Sequence, residues 1–187
     1  QLAAEEKGLY YPVDFAASGS SQLGGNIGTN AGGIKVIRYG MTRNWVAGLK
    51  VVTGTGELLE LNKGLMKNAT GYDLRQLFIG AEGTLGFVVE ATMRLERAPK
   101  NLTAMVLGTP DFDAIMPVLH AFQGKLDLTA FEFFSDRAMA KVLARGDVPA
   151  PFETDCPFYA LLEFEAVSEE VANEALATFE YCVEQGW

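Results

Sequence analysis

Glycine and proline are distributed unevenly along the chain, and this distribution most limits the folds that the sequence can adopt. Fifteen of the 20 glycines lie between Gly19 and Gly86, whereas six of the seven prolines occur from Pro99 onwards. The change coincides with the segment RAPK at 97–100, where proline fixes φ and favours an extended predecessor, as suits a connection between domains. The sequence therefore predicts two domains, 1–97 and 98–187.

The densest group of glycines lies in GGNIGTNAGG at 24–33, with five glycines in ten residues. Such a stretch is either a flexible linker or an ordered loop whose bare backbone closely approaches another molecule. Flexible linkers are Gly/Ser-rich and lack apolar residues, but Leu23, Ile27 and Ile34 are interspersed here. The composition therefore favours an ordered loop.

This loop matches neither of the two common phosphate-binding motifs. A dinucleotide-binding fingerprint needs G-x-G-x-x-G directly after an apolar strand, and a P-loop needs a lysine where this chain has Ile34. Backbone N–H groups of a glycine-rich loop can nevertheless donate to phosphate or carbonyl oxygens, and the absence of Cβ atoms lets a flat ligand lie against the chain. These residues alone leave two hypotheses open, a cofactor-binding loop and a purely structural tight loop.

A second glycine-rich segment, FIGAEGTLGFVVEA at 78–91, spaces Gly80, Gly83 and Gly86 by three residues. Glu82 lies among them, and taken singly it fits a solvated or capping carboxylate better than a catalytic one. Lys67 and Asn68, in the preceding LMKNATGYD, would likewise be ordinary surface residues.

The remaining pattern of the first part predicts strands around a tight turn at 53–56 and a short helix in GYDLRQLF that Asp73 can cap. The stretch GFVVEATMRLE alternates apolar and polar residues, which is typical of a half-buried strand. Its predicted buried face carries four residues, Val89, Ala91, Met93 and Leu95.

The second part predicts three successive strand–helix pairs, an α+β arrangement with one layer of helices. The first helix begins at Asp111 and ends near Gly124, with a kink expected at Pro117; Ser135 and Ser168 are predicted to cap the next two. Phe131 and Phe133 are expected on the core face of the middle strand. Because the chain stops directly after a helix, the sequence predicts a truncated domain.

Composition excludes several classes of function. A net charge of −9 argues against nucleic acid as a partner, and no apolar run approaches the roughly 20 residues of a membrane span. The two cysteines lack the spacing of a metal or redox site, so we predict reduced thiols and a cytoplasmic location. With His120 as the single histidine, neither a metal site nor a Ser-His-Asp triad is predicted.

Four segments, in order, together resemble a known family: GSSQLGGNIGTNAGGIKVIRYG, GLKVVTGTGELLEL, KNATGYDLRQLFIGAEGTLGFVVEATMRL and TAFEFF. They are similar to the FAD-linked oxidases of the vanillyl-alcohol oxidase superfamily, in the D-2-hydroxyacid dehydrogenase branch that includes D-2-hydroxyglutarate dehydrogenase, D-lactate dehydrogenase and the glycolate oxidase FAD subunit. The resemblance implies an α+β fold. Residues 1–97 would be the second FAD-binding subdomain of the PCMH-type fold, and 98–187 the N-terminal part of the substrate or cap domain.

The resemblance also implies FAD as the cofactor and a set of residues that line it: Ser21, Gly24, Gly25, Asn26, Thr29, Asn30, Gly32, Gly33, Glu82, Gly86 and Val88. The implied reaction is oxidation of a D-2-hydroxyacid by hydride transfer to the flavin, with the electron acceptor unassigned. In the family, a first FAD subdomain precedes this region, and the residues that hold the substrate carboxylate or a metal follow it. His120 does not correspond to them, so no catalytic residue is predicted within the chain.

Three hypotheses follow. The chain is a fragment of an FAD-dependent D-2-hydroxyacid dehydrogenase, cytoplasmic or held at a membrane surface by its electron acceptor; or it derives from a non-redox relative such as an alkylglycerone-phosphate synthase; or, by itself, it is a non-catalytic FAD-binding or structural module.

Overall fold

A computed structural model describes the whole chain, residues 1–187, and divides it into two compact units, Gln1–Ala98 and Pro99–Trp187. Each unit has its own hydrophobic core. No helix in either unit combines the length and the apolar composition needed to cross a bilayer.

The first unit contains one antiparallel sheet of order β3-β2-β4, together with a two-stranded β1-β5 pair and several short helices. In chain order its elements are α1 (Leu2–Glu5), β1 (Leu9–Tyr10), α2 (Leu23–Gly28), α3 (Val36–Tyr39), a 3-10 helix (Thr42–Trp45), β2 (Val46–Thr53), β3 (Leu58–Leu61), α4 (Arg75–Phe78), β4 (Gly86–Met93) and β5 (Glu96–Arg97). The predicted turn after β2 is present, and Gly56 adopts φ +85° within it.

The core of the first unit connects the sheet to both glycine-rich regions. Leu49 and Val51 of the central strand β2 pack in one cluster with Ile27 of α2 and Ile79, which follows α4. Ile27 is fully buried and Ile79 is 2% exposed. Burial of these two isoleucines fixes the glycine-rich segments against the same face of the sheet.

A β-bulge changes the face that β4 presents to the core. Lys50 of β2 pairs with Glu90, but the next residue, Val51, pairs with Val88, so that Val89 has no cross-strand partner. Val88, Ala91 and Met93 contact the core, whereas Val89 is 53% exposed. The prediction was therefore right for Ala91 and Met93 and wrong for Val89, because the inserted residue shifts the alternation by one position.

Leu95 was also predicted on that buried face. It lies beyond the end of β4 and is 40% exposed. The prediction for Leu95 was therefore wrong, because the strand pairing on which the alternation depends has already ended at Met93.

The second unit contains a three-stranded antiparallel sheet of order β6-β8-β7. The predicted strand–helix pairs are confirmed as β6 (Leu102–Thr109), α5 (Ile115–Gln123), β7 (Leu128–Ser135), α6 (Asp136–Leu143), β8 (Phe158–Glu165) and α7 (Glu169–Glu184). Ser135 and Ser168 cap α6 and α7 by accepting the N–H groups of Ala138 and Val171, each at 3.4 Å.

Two expectations for the second unit were wrong. Pro117 lies in the first turn of α5, where its missing N–H would have had no helical partner, so the helix continues without a break to Gln123. Phe131 contacts the core as predicted, but Phe133 is 52% exposed and packs edge-on against Phe112, with ring centroids 5.4 Å apart.

Candidate functional site

Two glycine-rich segments of the first unit meet in the structure. We call residues 21–33 the first glycine segment and residues 80–86 the second. The backbone N–H of Gly80 donates to the carbonyl of Ile27 at 3.0 Å, and that of Glu82 donates to the carbonyl of Gly28 at 2.9 Å. The segments that the sequence singled out separately therefore form one continuous surface.

The first segment turns sharply where α2 ends. Asn30 adopts φ +48°, a left-handed conformation that asparagine tolerates better than most residues. Its side-chain Oδ1 accepts the backbone N–H of Arg43 at 3.0 Å. The hydroxyl of Thr29 donates back to the carbonyl of Gly25 at 3.0 Å. These bonds hold the turn in one conformation.

Packing within the protein requires glycine at two of the predicted site positions, Gly33 and Gly86, and crowds a third, Gly32, less severely. A Cβ on Gly33 would fall on the carbonyl oxygen of Asp14. A Cβ on Gly86 would lie 2.8 Å from both a methyl of Val51 and the carbonyl oxygen of the residue after it. At Gly32 a Cβ would lie 3.1 Å from a side-chain methyl. Close approach of the protein's own atoms explains these positions.

Gly24 and Gly25 differ, because nothing in the protein lies within 4 Å of a Cβ built on either. Both are exposed residues of α2, where glycine is less favourable than alanine by roughly 0.5–1 kcal/mol. Internal packing gives no reason for this pair. The open space at Gly24 and Gly25 leaves room for the surface of another molecule to approach the backbone closely.

A cleft of about 670 Å³ borders the first segment, a volume within the usual range for small-molecule sites. Two predicted site residues, Ser21 and Asn26, line it. The other lining side chains are mainly apolar, among them Val13, Phe15, Leu23, Met93 and Leu95. Apolar walls with a few polar groups are typical of small-molecule sites in general; the lining includes neither Gly24, Gly25 nor any residue of the second segment.

Tyr11 also lines the cleft, but its hydroxyl points into the protein and has no hydrogen-bond partner there. Burial raises the pKa of Tyr11, and the neighbouring hydroxyl of Thr42 opposes part of that shift. The two hydroxyls do not reach hydrogen-bonding geometry with each other, and that of Thr42 donates instead to the carbonyl of Ala31 at 2.8 Å. Through this bond to Ala31, Thr42 holds the first glycine segment in place.

Asp73 does not cap α4, contrary to expectation. Its two carboxylate oxygens accept Nε and Nη2 of Arg75 at 2.7 and 2.8 Å. This partner holds the pKa of Asp73 below its ordinary value. Arg75 Nη1 also donates to the carbonyls of Val46 and Ala47, at 2.8 and 2.7 Å. These bonds hold α4, which leads into the second segment, against β2.

The remaining predicted residues contribute in different ways. Ser21 donates to the carbonyl of Ser18 at 3.4 Å, and Glu82 is exposed with φ +50°. The side chain of Val88 packs against the core and is partly exposed. His120 lies in the second unit, on α5. The structure contains no group of three or more His, Cys, Asp or Glu residues placed to hold a metal.

Sequence reasoning missed Arg43, which contacts Asn30 of the first glycine segment and Ile79, the residue directly before the second. No local signal marks it, because its partners lie far away in the sequence and become neighbours only after folding.

Two family models match the chain. One described as the FAD binding domain matches residues 1–62, and one described as FAD linked oxidases, C-terminal domain, matches residues 98–187. These descriptions indicate FAD as the cofactor.

Curated relatives agree with the family models. The D-2-hydroxyglutarate dehydrogenase of Stutzerimonas stutzeri (strain A1501) is 87% identical over 187 residues, 100% of this chain and 40% of that protein. The D-2-hydroxyglutarate dehydrogenase of Xanthomonas citri pv. viticola is 60% identical over 185 residues, 99% of this chain and 39% of that protein. The mitochondrial D-2-hydroxyglutarate dehydrogenase of Danio rerio is 40% identical over 161 residues, 85% of this chain and 30% of that protein. The chain thus spans about 40% or less of these relatives.

A solved structure of an alkyldihydroxyacetonephosphate synthase superposes with a TM-score of 0.76 at 20% sequence identity, covering 99% of this chain and 36% of that one. At this identity the likeness shows a shared fold, and it confirms the predicted α+β fold.

Proposed function

Because the chain belongs to the FAD-linked oxidases, in the branch of the D-2-hydroxyacid dehydrogenases, we propose that it is part of an enzyme that oxidises a D-2-hydroxyacid to the 2-oxoacid. The 87% identical relative is a D-2-hydroxyglutarate dehydrogenase, which makes D-2-hydroxyglutarate the first candidate substrate. The alkyldihydroxyacetonephosphate synthase likeness, at 20% identity, bears on the fold and supports no second function.

One observation carries the proposal: the two glycine segments are joined at the end of α2, the helix on which Gly24 and Gly25 face open space. Bound FAD would supply the chemistry by accepting a hydride from C2 of the substrate, while the hydroxyl loses its proton. This chain would contribute part of the cofactor site. The backbone of Gly24 and Gly25 would contact one side of the flavin nucleotide. The backbone around Glu82 would contact its other side.

The chain's own side chains would order this surface rather than transfer protons. Asn30 and Thr29 hold the turn of the first segment, and Ile27 and Ile79 anchor both segments to the sheet. We infer that the groups that bind the substrate carboxylate belong to other parts of the parent enzyme, so that the isolated chain is a non-catalytic FAD-binding module. Cys156 and Cys182 are free thiols, which supports a cytoplasmic location.

The test uses the parent enzyme and the isolated chain side by side. The purified parent, loaded with FAD, is mixed without oxygen with D-2-hydroxyglutarate, D-lactate and the two L-enantiomers. We expect the flavin absorption to bleach with a D-acid and to persist with the L-acids. The same spectrum of the isolated chain, after FAD addition and desalting, reports whether this part alone retains the cofactor. A parent enzyme that is bleached by no D-2-hydroxyacid would contradict the proposal.

A further inference from the structure

We propose that Arg43 is a positioning residue that fixes the two glycine segments relative to each other and thereby shapes the FAD site. Arg43 belongs to the 3-10 helix directly before β2 and is partly buried. The inference rests on the proposed function in naming FAD as the ligand. The hydrogen bonds of Arg43 on which it rests are formed within the protein and involve no ligand.

Arg43 contacts the first segment through its backbone and, through its side chain, the residues that lead into the second segment. Its N–H donates to Oδ1 of Asn30 at 3.0 Å. Its Nη2 donates to the carbonyl of Ile79 at 3.2 Å, and its Nη1 donates to Oε1 of Gln76 at 2.7 Å. A single residue therefore connects the turn after α2 to the chain that enters the second segment.

The peptide group between Ile79 and Gly80 is held at both of its polar atoms. Its carbonyl oxygen accepts Nη2 of Arg43, and its N–H donates to the carbonyl of Ile27. Because the peptide group is planar, these two bonds on opposite sides fix its rotation. Loss of the guanidinium would leave one bond, about which the peptide group and the residues after it could turn.

Packing at the same place leaves little freedom. Gly80 adopts φ +85°, and a Cβ built on it would lie 3.3 Å from Cβ of Asn30 and 3.6 Å from Nη2 of Arg43. Asn30, Arg43 and Gly80 therefore form a tightly packed joint between the two segments. A planar guanidinium can donate to Gln76 and Ile79 simultaneously in fixed directions, whereas a lysine ammonium presents a single point of charge.

The first experiment needs no cofactor. Amide hydrogen exchange, followed by NMR, is measured at Gly80 and Glu82 in the wild-type chain and in Arg43→Gln. Since a charge-assisted hydrogen bond is lost, we expect exchange at both amides to accelerate on the order of tenfold.

Arg94→Gln is the matched control. Arg94 lies over the ring of Trp45 at 5.9 Å and donates to the carbonyl of Asn44 at 3.5 Å. It carries the same charge next to the same 3-10 helix, but neither of these contacts reaches a glycine segment. Exchange at Gly80 and Glu82 should stay as in the wild type. Equal acceleration in both variants would overturn the proposal, because it would reflect a general loss of stability.

The second experiment measures the dissociation constant for FAD. We expect Arg43→Gln to weaken binding on the order of tenfold, Arg43→Lys to restore little of it, and Arg94→Gln to change it less than about twofold. Full rescue by Arg43→Lys would overturn the positioning role, because charge alone would then suffice. Unchanged FAD affinity in Arg43→Gln, despite faster exchange, would also overturn it.

Gln76 supplies an independent check, because its Oε1 orients the guanidinium. Gln76→Ala should weaken FAD binding in the same direction, and the double variant with Arg43→Gln should be no weaker than Arg43→Gln alone. Additive losses would contradict the proposal. If the wild-type chain and its parent enzyme bind no FAD, the proposed function fails, and the exchange experiment alone then decides whether Arg43 couples the two segments.

Discussion

The backbone N–H of Glu82 donates to the carbonyl of Gly28 at 2.9 Å, so the second glycine segment caps the helix that carries the first. The last carbonyls of a helix have no partners within it; here that of Gly28 accepts the N–H of Glu82, and that of Ile27 accepts the N–H groups of Asn30 and Gly80. A short helix that holds two glycines has little stability of its own. The surface assigned to the cofactor thus depends on a contact between distant parts of the chain.

Gly25→Ala tests whether the uncovered glycines serve a ligand. Alanine in α2 should raise the free energy of unfolding by about 0.5–1 kcal/mol, because nothing obstructs its Cβ. The same methyl should weaken FAD binding. Urea unfolding and FAD titration measure the two effects separately. Gly54→Ala is the control, since Gly54 has equally open surroundings in the turn after β2, and it should leave FAD affinity unchanged. A Gly25→Ala variant that binds FAD as the wild type does would contradict the assignment.

Gly33→Ala should behave in the opposite way. Its Cβ would overlap the carbonyl oxygen of Asp14, and backbone atoms cannot move aside as a flexible side chain can. We expect a loss of about 3 kcal/mol or more in the free energy of unfolding, or failure to fold. Thermal and urea unfolding of this variant beside Gly24→Ala provide the comparison. Wild-type stability in Gly33→Ala would show that the first segment is not held against Asp14.

How far the sequence predicts this fold depends on the distance between interacting residues. The strands and helices of the second unit, and the caps at Ser135 and Ser168, follow from periodicity and from neighbours within a few residues. The bulge that exposes Val89 depends on the register against β2, which the sequence of β4 alone does not contain.

The candidate site divides in the same way. The two glycine segments are visible as patterns of composition, and the resemblance assigns them to FAD. Their separation into glycines that packing requires, such as Gly33, and glycines left uncovered, such as Gly24, needs the positions of Asp14 and of the other neighbours. Arg43 has no sequence signature, because its role arises from Asn30 and Ile79 after folding.

Asp73 gives a pH dependence whose sign is fixed by Arg75. The folded-state pKa of Asp73 lies below its ordinary value of 3.8, so its contribution is complete above that pH and is lost as the pH falls through the lower folded value. Since the carboxylate is partly exposed, we expect only about 0.5–1 kcal/mol. Urea unfolding of the wild type and of Asp73→Asn from pH 6 down to pH 3 should show two curves that converge as the pH falls. A constant difference would exclude a contribution from the ionised pair.

Tyr11 and Thr42 provide a last prediction, because one hydroxyl is buried without a partner and the other is bonded. Tyr11→Phe removes an unsatisfied polar atom and should leave the free energy of unfolding unchanged or raise it by up to about 1 kcal/mol. Thr42→Val is nearly isosteric but loses the bond to Ala31. This variant should lower the free energy of unfolding by about 1 kcal/mol and loosen the first glycine segment.

The pKa of Tyr11 is raised above 10.0 by burial, so folding disfavours its ionisation. The wild type should therefore lose stability relative to Tyr11→Phe as the pH rises above that value. Urea unfolding of the three proteins at pH 7 and at pH 10.5 checks both effects. If Tyr11→Phe instead proves clearly less stable at pH 7, the hydroxyl of Tyr11 has a hydrogen-bond partner in solution, and the expectation is wrong.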